Sequence, residues 1–220
     1  MRTLVAVAAA AMLFSSPAQA QFLTYSSRAS FESQLGMMVV DDYSNSGYQS
    51  FQSDAAMNAV RGETRYSSTT FLNWNLVPSG YYCAGCNGSY VMDFQTTSVS
   101  SGGLGVYGAG FDFFNSGSLL QGAFVTFGDG TTANIALPAA TYSPRSFFGV
   151  TSGKLIAKIN IGLTSGVAVG SSEDASFGQD NLTIGSIGNT TTVPEPSTVV
   201  LLAAGLAGLG FAGRARRSRA

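Results

Sequence analysis

The chain has 220 residues, 45% of them hydrophobic and only 10% charged, with a formal net charge of −1, two cysteines and no histidine. Without histidine a Ser-His-Asp triad and a Cys-His pair are impossible, and the commonest transition-metal ligand is missing. Between Gln21 and Val193, six Lys or Arg stand against eleven Asp or Glu, a net charge of −5 with no basic stripe. Nucleic acid is therefore disfavoured as a partner, because phosphate contacts dominate such binding.

Taken in chain order, Met1-Arg2-Thr3 is a short positive start and Leu4 to Phe14 is apolar. Ser15-Ser16-Pro17 breaks that run, and Ala18-Gln19-Ala20 offers a small-x-small cleavage site. Residues 1–20 are predicted to be a signal peptide removed by signal peptidase, leaving Gln21 as the first residue of an exported protein.

Residues 21–188 are long enough for one domain with a sizeable core. A helix is predicted from Arg28 to Leu35, with Phe31 and Leu35 on one face and Gly36 as its stop. Strands are predicted over Met37–Val40, Thr69–Leu76, Tyr90–Phe94, Gly105–Phe114, Phe147–Val150 and Phe177–Ile184. Gly122–Phe127 and Thr131–Leu137 flank Gly128-Asp129-Gly130, a hairpin signal because those turn residues accept positive φ. From Leu155 to Leu163 every odd position is apolar, the period of a half-buried strand. Many short strands, Gly-rich turns and almost no helix predict an all-β antiparallel sandwich, a jelly roll ahead of a barrel. Phe111, Phe113, Phe124 and Phe127 are expected in its core.

Cys83-Ala84-Gly85-Cys86 has redox-motif spacing, but its flanks, Tyr81-Tyr82 and Asn87-Gly88, read as a turn. In an exported chain the pair is expected to form a local disulfide that stiffens a surface loop. Asp41-Asp42 and Asp180-Asn181 lie beside strand-like runs near opposite ends of the mature chain. If those strands are neighbours, the four side chains would offer oxygen ligands to a structural Ca²⁺; otherwise they cap strands and turns. Trp74, Tyr81 and Tyr82 are the candidate ligand contacts, since sugar rings stack on aromatic side chains; Tyr81 and Tyr82 suit surface and core equally. No catalytic residue is assigned. The glutamates Glu32, Glu63 and Glu173 read as solvated charges, and the strand-borne Asp93 and Asp112 have no partner in the sequence. Two cysteines and carboxylates match no usual zinc set, and Gly102-Gly103-Leu104-Gly105 lacks the lysine and helix of a phosphate loop.

Gly188–Val193 is small and polar, so residues 189–193 are expected to link the domain to the tail at 194–220. There Pro194-Glu195-Pro196 precedes an uncharged run from Val199 to Gly213, and Arg214, Arg216, Arg217 and Arg219 follow. The run is shorter than the roughly 20 residues of a full span. The arginines mark a cytoplasmic end, so the run reads as a brief single-span membrane stop. Val193-Pro194-Glu195-Pro196-Ser197-Thr198, the apolar run and the terminal arginines together resemble the PEP-CTERM sorting signal, a tail also named after the C-terminal region of certain ice-binding proteins. The resemblance implies a Gram-negative exported protein held briefly in the inner membrane. It further implies processing by an exosortase, with Pro194, Glu195 and Pro196 as the recognition and cleavage region. Phe147-Phe148-Gly149-Val150-Thr151 and Asp180-Asn181-Leu182-Thr183-Ile184-Gly185 resemble β-sandwich proteins that often precede such a tail. The expected function is a non-catalytic surface or matrix protein that binds polysaccharide. A secreted carbohydrate-active enzyme with a carboxylate pair is the alternative, and ice binding comes third because the Thr pairs do not repeat at a fixed period.

Overall fold

The computed structural model describes residues 22–68, 74–162 and 174–188. The expected signal peptide with Ala18, Ala20 and Gln21, together with Glu173 and the whole tail with Pro194, Glu195, Pro196, Arg214, Arg216, Arg217 and Arg219, lies outside the described residues. So does most of the strand expected over 69–76. The chain divides into two units, Met1–Gly188 and Asn189–Ala220. Among the described residues no helix is long and apolar enough to cross a membrane.

The first unit is built of antiparallel strands: β1 (Leu23–Tyr25), β2 (Leu35–Asp41), β3 (Gln52–Ser53), β4 (Arg65–Ser68), β5 (Trp74–Asn75), β6 (Tyr90–Asp93), β7 (Val106–Asn115), β8 (Gly122–Phe127), β9 (Thr132–Ala136), β10 (Ser146–Gly162) and β11 (Phe177–Ile187). Two short helices, α1 (Arg28–Glu32) and α2 (Asp54–Arg61), interrupt them. Nine strands form one hydrogen-bonded network, and β3 and β5 form a separate ribbon.

Strand β10 holds the network together. Its first half pairs with β7 from Ser146 to Thr151 and with β1 from Gly149 to Thr151. Its second half pairs with β6 from Lys158 to Ile161 and with β8 from Ile156 to Gly162. The strand therefore belongs to two ladders, β2-β11-β7-β10-β1 and β4-β6-β10-β8-β9. Between its halves Leu155 takes φ 61, and the register against β8 shifts between Ile156 and Lys158. Phe147–Val150 and Leu155–Leu163 were expected as two strands; Phe147–Val150 and Leu155–Gly162 are parts of one, and Leu163 lies outside the described residues. The odd-position pattern holds at Ala157, Ile159 and Ile161, all buried as expected; at the shift itself it fails, because Ile156 is buried and Leu155 is not. An extra residue reverses side-chain parity, which a fixed period of two cannot register.

Core residues come from both ladders: Phe111, Phe113, Phe148, Val150, Phe177 and Ile184 from the first, and Tyr90, Met92, Val125, Phe127, Ile159 and Ile161 from the second. Phe124 is only half-buried, since it alternates with the inward Ala123 and Val125. The β8–β9 hairpin closes as expected, with Gly130 at φ 82 and the Phe127 amide on the Thr131 carbonyl at 2.9 Å.

Helix α1 ends at Glu32 rather than Leu35. Ser27 caps it, its hydroxyl accepting the Ser30 amide. Leu35 instead opens β2, opposite Ile187. It lies where a side chain on Gly108 would have to go, since a Cβ there would come within 2.6 Å of Leu35 Cδ2. Phe31 covers Gly149 in the same way and packs between Tyr25 and Phe147, ring centroids 5.9 and 5.6 Å away. Glycines on the outward side of the first ladder thus form the bed for α1.

Helix α2 is an element the sequence reading missed, although its signals are present: Ser53 as N-cap, Asp54 in the first turn, Arg61 in the last and Gly62 at φ 72. It covers the outer edge of β4. Asn58 accepts the Tyr66 amide (2.6 Å) and donates to the Tyr66 carbonyl (3.2 Å), and Asp54 accepts the Ser68 amide (3.1 Å). Side chains here take the hydrogen bonds of a missing neighbour strand, which blunts that edge.

The bend in β10 depends on Gly105, which sits at φ 125 where a Cβ would come within 2.1 Å of the Ile156 carbonyl oxygen. Gly105→Ala is expected to cost at least ~2 kcal/mol and lower Tm by roughly 4–8 °C in thermal unfolding. Gly130→Ala, at positive φ with nothing within 4 Å, is expected to cost only about 1 kcal/mol.

Candidate functional site

Cys83 and Cys86 are joined in a disulfide whose three-residue span forms a tight turn, with Gly85 at φ 67 and Cys86 at φ 61. The turn is tied to β11: Tyr82 and Gln179 exchange backbone hydrogen bonds of 2.8 and 2.9 Å, and the Phe177 amide donates to the Cys86 carbonyl (2.7 Å). Cys83 is buried, so the disulfide clamps chain against the core and is not confined to a surface loop. Because this segment runs like a strand beside β11, Tyr81 and Tyr82 face opposite ways.

Tyr82 faces inward and is fully buried, which removes it as a ligand contact. It belongs to a phenol cluster with Tyr43, Tyr66 and Tyr90, its ring 4.7 Å from those of Tyr66 and Tyr90. Gln179 bridges the cluster, donating to the Tyr43 hydroxyl and accepting from that of Tyr90, both at 2.6 Å. The Tyr43 and Tyr66 hydroxyls meet at 2.9 Å, and Tyr82 donates to Asn75, which donates in turn to Asp54 (2.7 Å each). Burial pushes all four phenols well above the ordinary 10, so they remain protonated and none acts as a base.

Tyr81 faces outward. Its ring packs edge-on against Phe114 (5.5 Å) and Tyr142 (5.6 Å), above Gly178, where a Cβ would meet both Phe114 and Tyr81. Tyr142 arrives on the segment after β9, which is fastened to the end of β7: Ala140 and Asn115 exchange backbone bonds of 2.9 and 3.0 Å. The buried Asn115 side chain fixes the same turn, donating to the Gln121 carbonyl at 2.9 Å. Arg145 lies over both tyrosine rings, 5.4 Å from Tyr81 and 5.3 Å from Tyr142, and pairs with Asp180.

Asp180 stands directly across the ladder from Asp112. Asp112 is held by Arg28 (3.0 Å) and by the Asn181 side-chain amide (2.9 Å). Burial raises the Asp180 pKa; the Asn181 amide and Arg145 oppose this, and the Asp112 charge adds to the rise. The outward face of β7 and β11 thus carries two carboxylates, each paired with its own arginine, beside an aromatic rim on which Tyr142 is 52% exposed. The cross-strand Asp112–Asp180 relation, and Tyr142 and Arg145 as site residues, were missed by sequence reasoning. Nothing in residues so far apart states which ladder joins them.

The strands bearing the expected calcium ligands are neighbours, with Asp41 opposite Leu182. Their side chains nonetheless go to separate partners, so the expected ligand set does not assemble. Asp41 is buried and accepts from the Tyr48 hydroxyl and the Tyr43 amide. Asp42 is exposed and accepts from Ser44, which lowers its pKa. Asp180 and Asn181 lie with Arg145 and Asp112. Among the described residues no three carboxylate or thiol side chains gather as a metal set. Trp74 is partly exposed and packs on Phe51 (5.6 Å) in the β3–β5 ribbon. Glu32 pairs with Arg28, Glu63 accepts from Ser98, and Asp93 pairs with Lys158. A groove of about 420 Å³ beside α2, β4, β6 and β10 is lined by Asp54, Asn58, Arg65, Tyr66, Ser67, Val91, Asp93 and Lys158.

The PEP-CTERM protein-sorting motif matches residues 192–217. The chain therefore carries a PEP-CTERM sorting tail, which implies export and processing by exosortase at the membrane. No curated protein and no solved structure matches the chain.

Burial, partly offset by the Tyr48 hydroxyl, raises the Asp41 pKa above 3.8. The folded state therefore favours protonated Asp41. The resulting stability is complete below pH 3.8 and is lost as pH rises through the folded value. Asp41→Asn is expected to flatten the decline in unfolding free energy above about pH 4, read from urea melts at stepped pH. An unchanged slope would show that Asp41 does not titrate with folding.

Proposed function

We propose that this chain is a non-catalytic surface or matrix protein of a Gram-negative bacterium that binds polysaccharide on the Tyr81–Tyr142–Arg145 face of a two-layer sandwich of jelly-roll type. The core shared by the two ladders and the placement of β2 beside β11 support that architecture. The single observation carrying the ligand reading is the exposed Tyr142 ring, set at 78° to Tyr81 beside the Arg145–Asp180 pair. A ring face for an apolar sugar face, with donors and acceptors alongside for hydroxyls, is the combination a sugar needs. The sorting tail supports delivery of this face to a compartment where polysaccharide is the abundant polymer.

A second reading rests on Asp180. Its raised pKa and cross-strand neighbour Asp112 fit an acid–base carboxylate pair, the arrangement of a glycoside hydrolase. Against it, Arg145 and Arg28 hold the two carboxylates.

Affinity electrophoresis in gels containing surface polysaccharides of the host separates the readings. Tyr142→Ala is expected to weaken binding about tenfold, with no reducing ends released by wild type or variant. Release of reducing ends, abolished by both Asp180→Asn and Asp112→Asn, would establish the enzyme instead. For sorting, intact mass spectrometry of the surface protein is expected to show loss of residues 1–20 and of the segment beyond Pro194-Glu195-Pro196. A complete tail on protein in the inner membrane would refute processing.

A further inference from the structure

We infer that the groove beside α2 is a second saccharide site, so that one domain can hold two polysaccharide chains. The polymer class rests on the polysaccharide reading above, but no residue of the Tyr81–Tyr142–Arg145 rim takes part. The register of the second ladder builds the groove. Arg65 of β4 stands opposite Asp93 of β6, and Asp93 stands opposite Lys158 of β10. Ser67 and Val91 form the next pair on the same side of these strands, because side chains two apart share a face. The intervening Tyr66, Met92 and Ile159 are buried. Asp54 and Asn58 of α2 line the same groove, and its volume of about 420 Å³ lies within the roughly 300–1,000 Å³ of ligand clefts.

The hydrogen-bonding groups left over in the groove define the ligand. Among the described residues Arg28, Arg61, Arg145, Lys154 and Lys158 each pair with a carboxylate. Arg65 is the exception. Asp93 lies directly across from it, yet Asp93 is taken by Lys158 (3.2 Å) and by the Gln95 amide (2.9 Å). The exposed Arg65 guanidinium is therefore free to donate several hydrogen bonds in one plane. On α2, Asp54 uses Oδ1 to accept from the Ser68 amide (3.1 Å) and the Asn75 side chain (2.7 Å), which leaves Oδ2 as an acceptor. Ser67 adds a hydroxyl, and Val91 and Tyr66 give the groove apolar lining. Its two positive and two negative side chains cancel, so the groove selects no net charge. Uncommitted donors and acceptors beside an apolar lining match the hydroxyls and C–H face of a neutral sugar. An acidic sugar fits worse, because Asp93 stands between Arg65 and Lys158 in the row. The groove and the rim share no residue and lie on different ladders, so a polymer bound at one leaves the other open to a second chain.

The test uses the protein isolated from its host. Its probe is surface polysaccharide extracted from the same host and separated into neutral and acidic pools on an anion exchanger. In affinity electrophoresis with the neutral pool, Tyr142→Ala is expected to remain retarded. Adding Arg65→Gln to Tyr142→Ala is expected to raise the dissociation constant about tenfold further, with circular dichroism unchanged. Lys154→Gln, which removes a cation elsewhere, is expected to change nothing. Light scattering is expected to show wild type cross-linking the neutral polymer, and either Tyr142→Ala or Arg65→Gln alone abolishing that scattering while binding persists. Binding insensitive to Arg65→Gln in both backgrounds overturns the groove site and leaves the rim standing. An equal loss in Lys154→Gln, or a preference for the acidic pool that Arg65→Gln removes, also overturns it. A wild type that ignores both pools overturns the rim and the groove together.

Discussion

The bend within β10 is the constraint on which the rest of the domain depends. One strand of 17 residues takes part in two ladders, so any change at its centre moves both. The bend is possible because Leu155 accepts positive φ, a bulge follows at Ile156, and Gly105 leaves room for the Ile156 carbonyl. From this point the β7–β11 face and the β6–β8 face are placed relative to a common apolar cluster. A chain with so little charge and so many small residues can close such a cluster because its large aromatic rings are concentrated inside it.

The outward face of the first ladder follows a different rule. Its strands carry glycines at positions 108, 110, 149, 178 and 185, and rings or leucine occupy the space their side chains would fill. Phe31 and Leu35 cover one part of that bed, and Phe114 with Tyr81 covers another. In the aromatic rim beside Asp180, Phe114 and Tyr81 are seated by close approach over Gly178, and Tyr142 and Arg145 reach them on the segment between β9 and β10. Tyr81 and Tyr82, adjacent in sequence, show how the domain divides its work. Pairing with Gln179 sends Tyr82 to the phenol cluster and Tyr81 to the rim.

Address and domain are separate pieces of chemistry. The tail acts through its short linear order of Pro-Glu-Pro, apolar run and arginines, and the motif match ends at residue 217. The domain ends where the Gly188 amide meets the Gln34 carbonyl at 3.1 Å, before that motif begins.

What the sequence determined by itself was whatever depends on neighbours along the chain. That covers the β-rich class, the β8–β9 hairpin from its Gly-Asp-Gly turn, the Cys83–Cys86 link across two residues and the sorting motif. Helix α2 was equally legible, because Ser53, Asp54, Arg61 and Gly62 are local signals, and it was overlooked among the strand patterns. Tertiary structure alone decided which residues meet across the ladders. Asp112 faces Asp180 and Leu182 faces Asp41 through register, which no local pattern encodes. It also shortened α1, because the space over Gly108 and Gly185 outweighed the helical spacing of Phe31 and Leu35. It also set where the odd-position pattern of β10 begins: the extra residue at the bulge buries Ile156 and leaves Leu155 out, while Ala157, Ile159 and Ile161 keep the buried places that the pattern gave them.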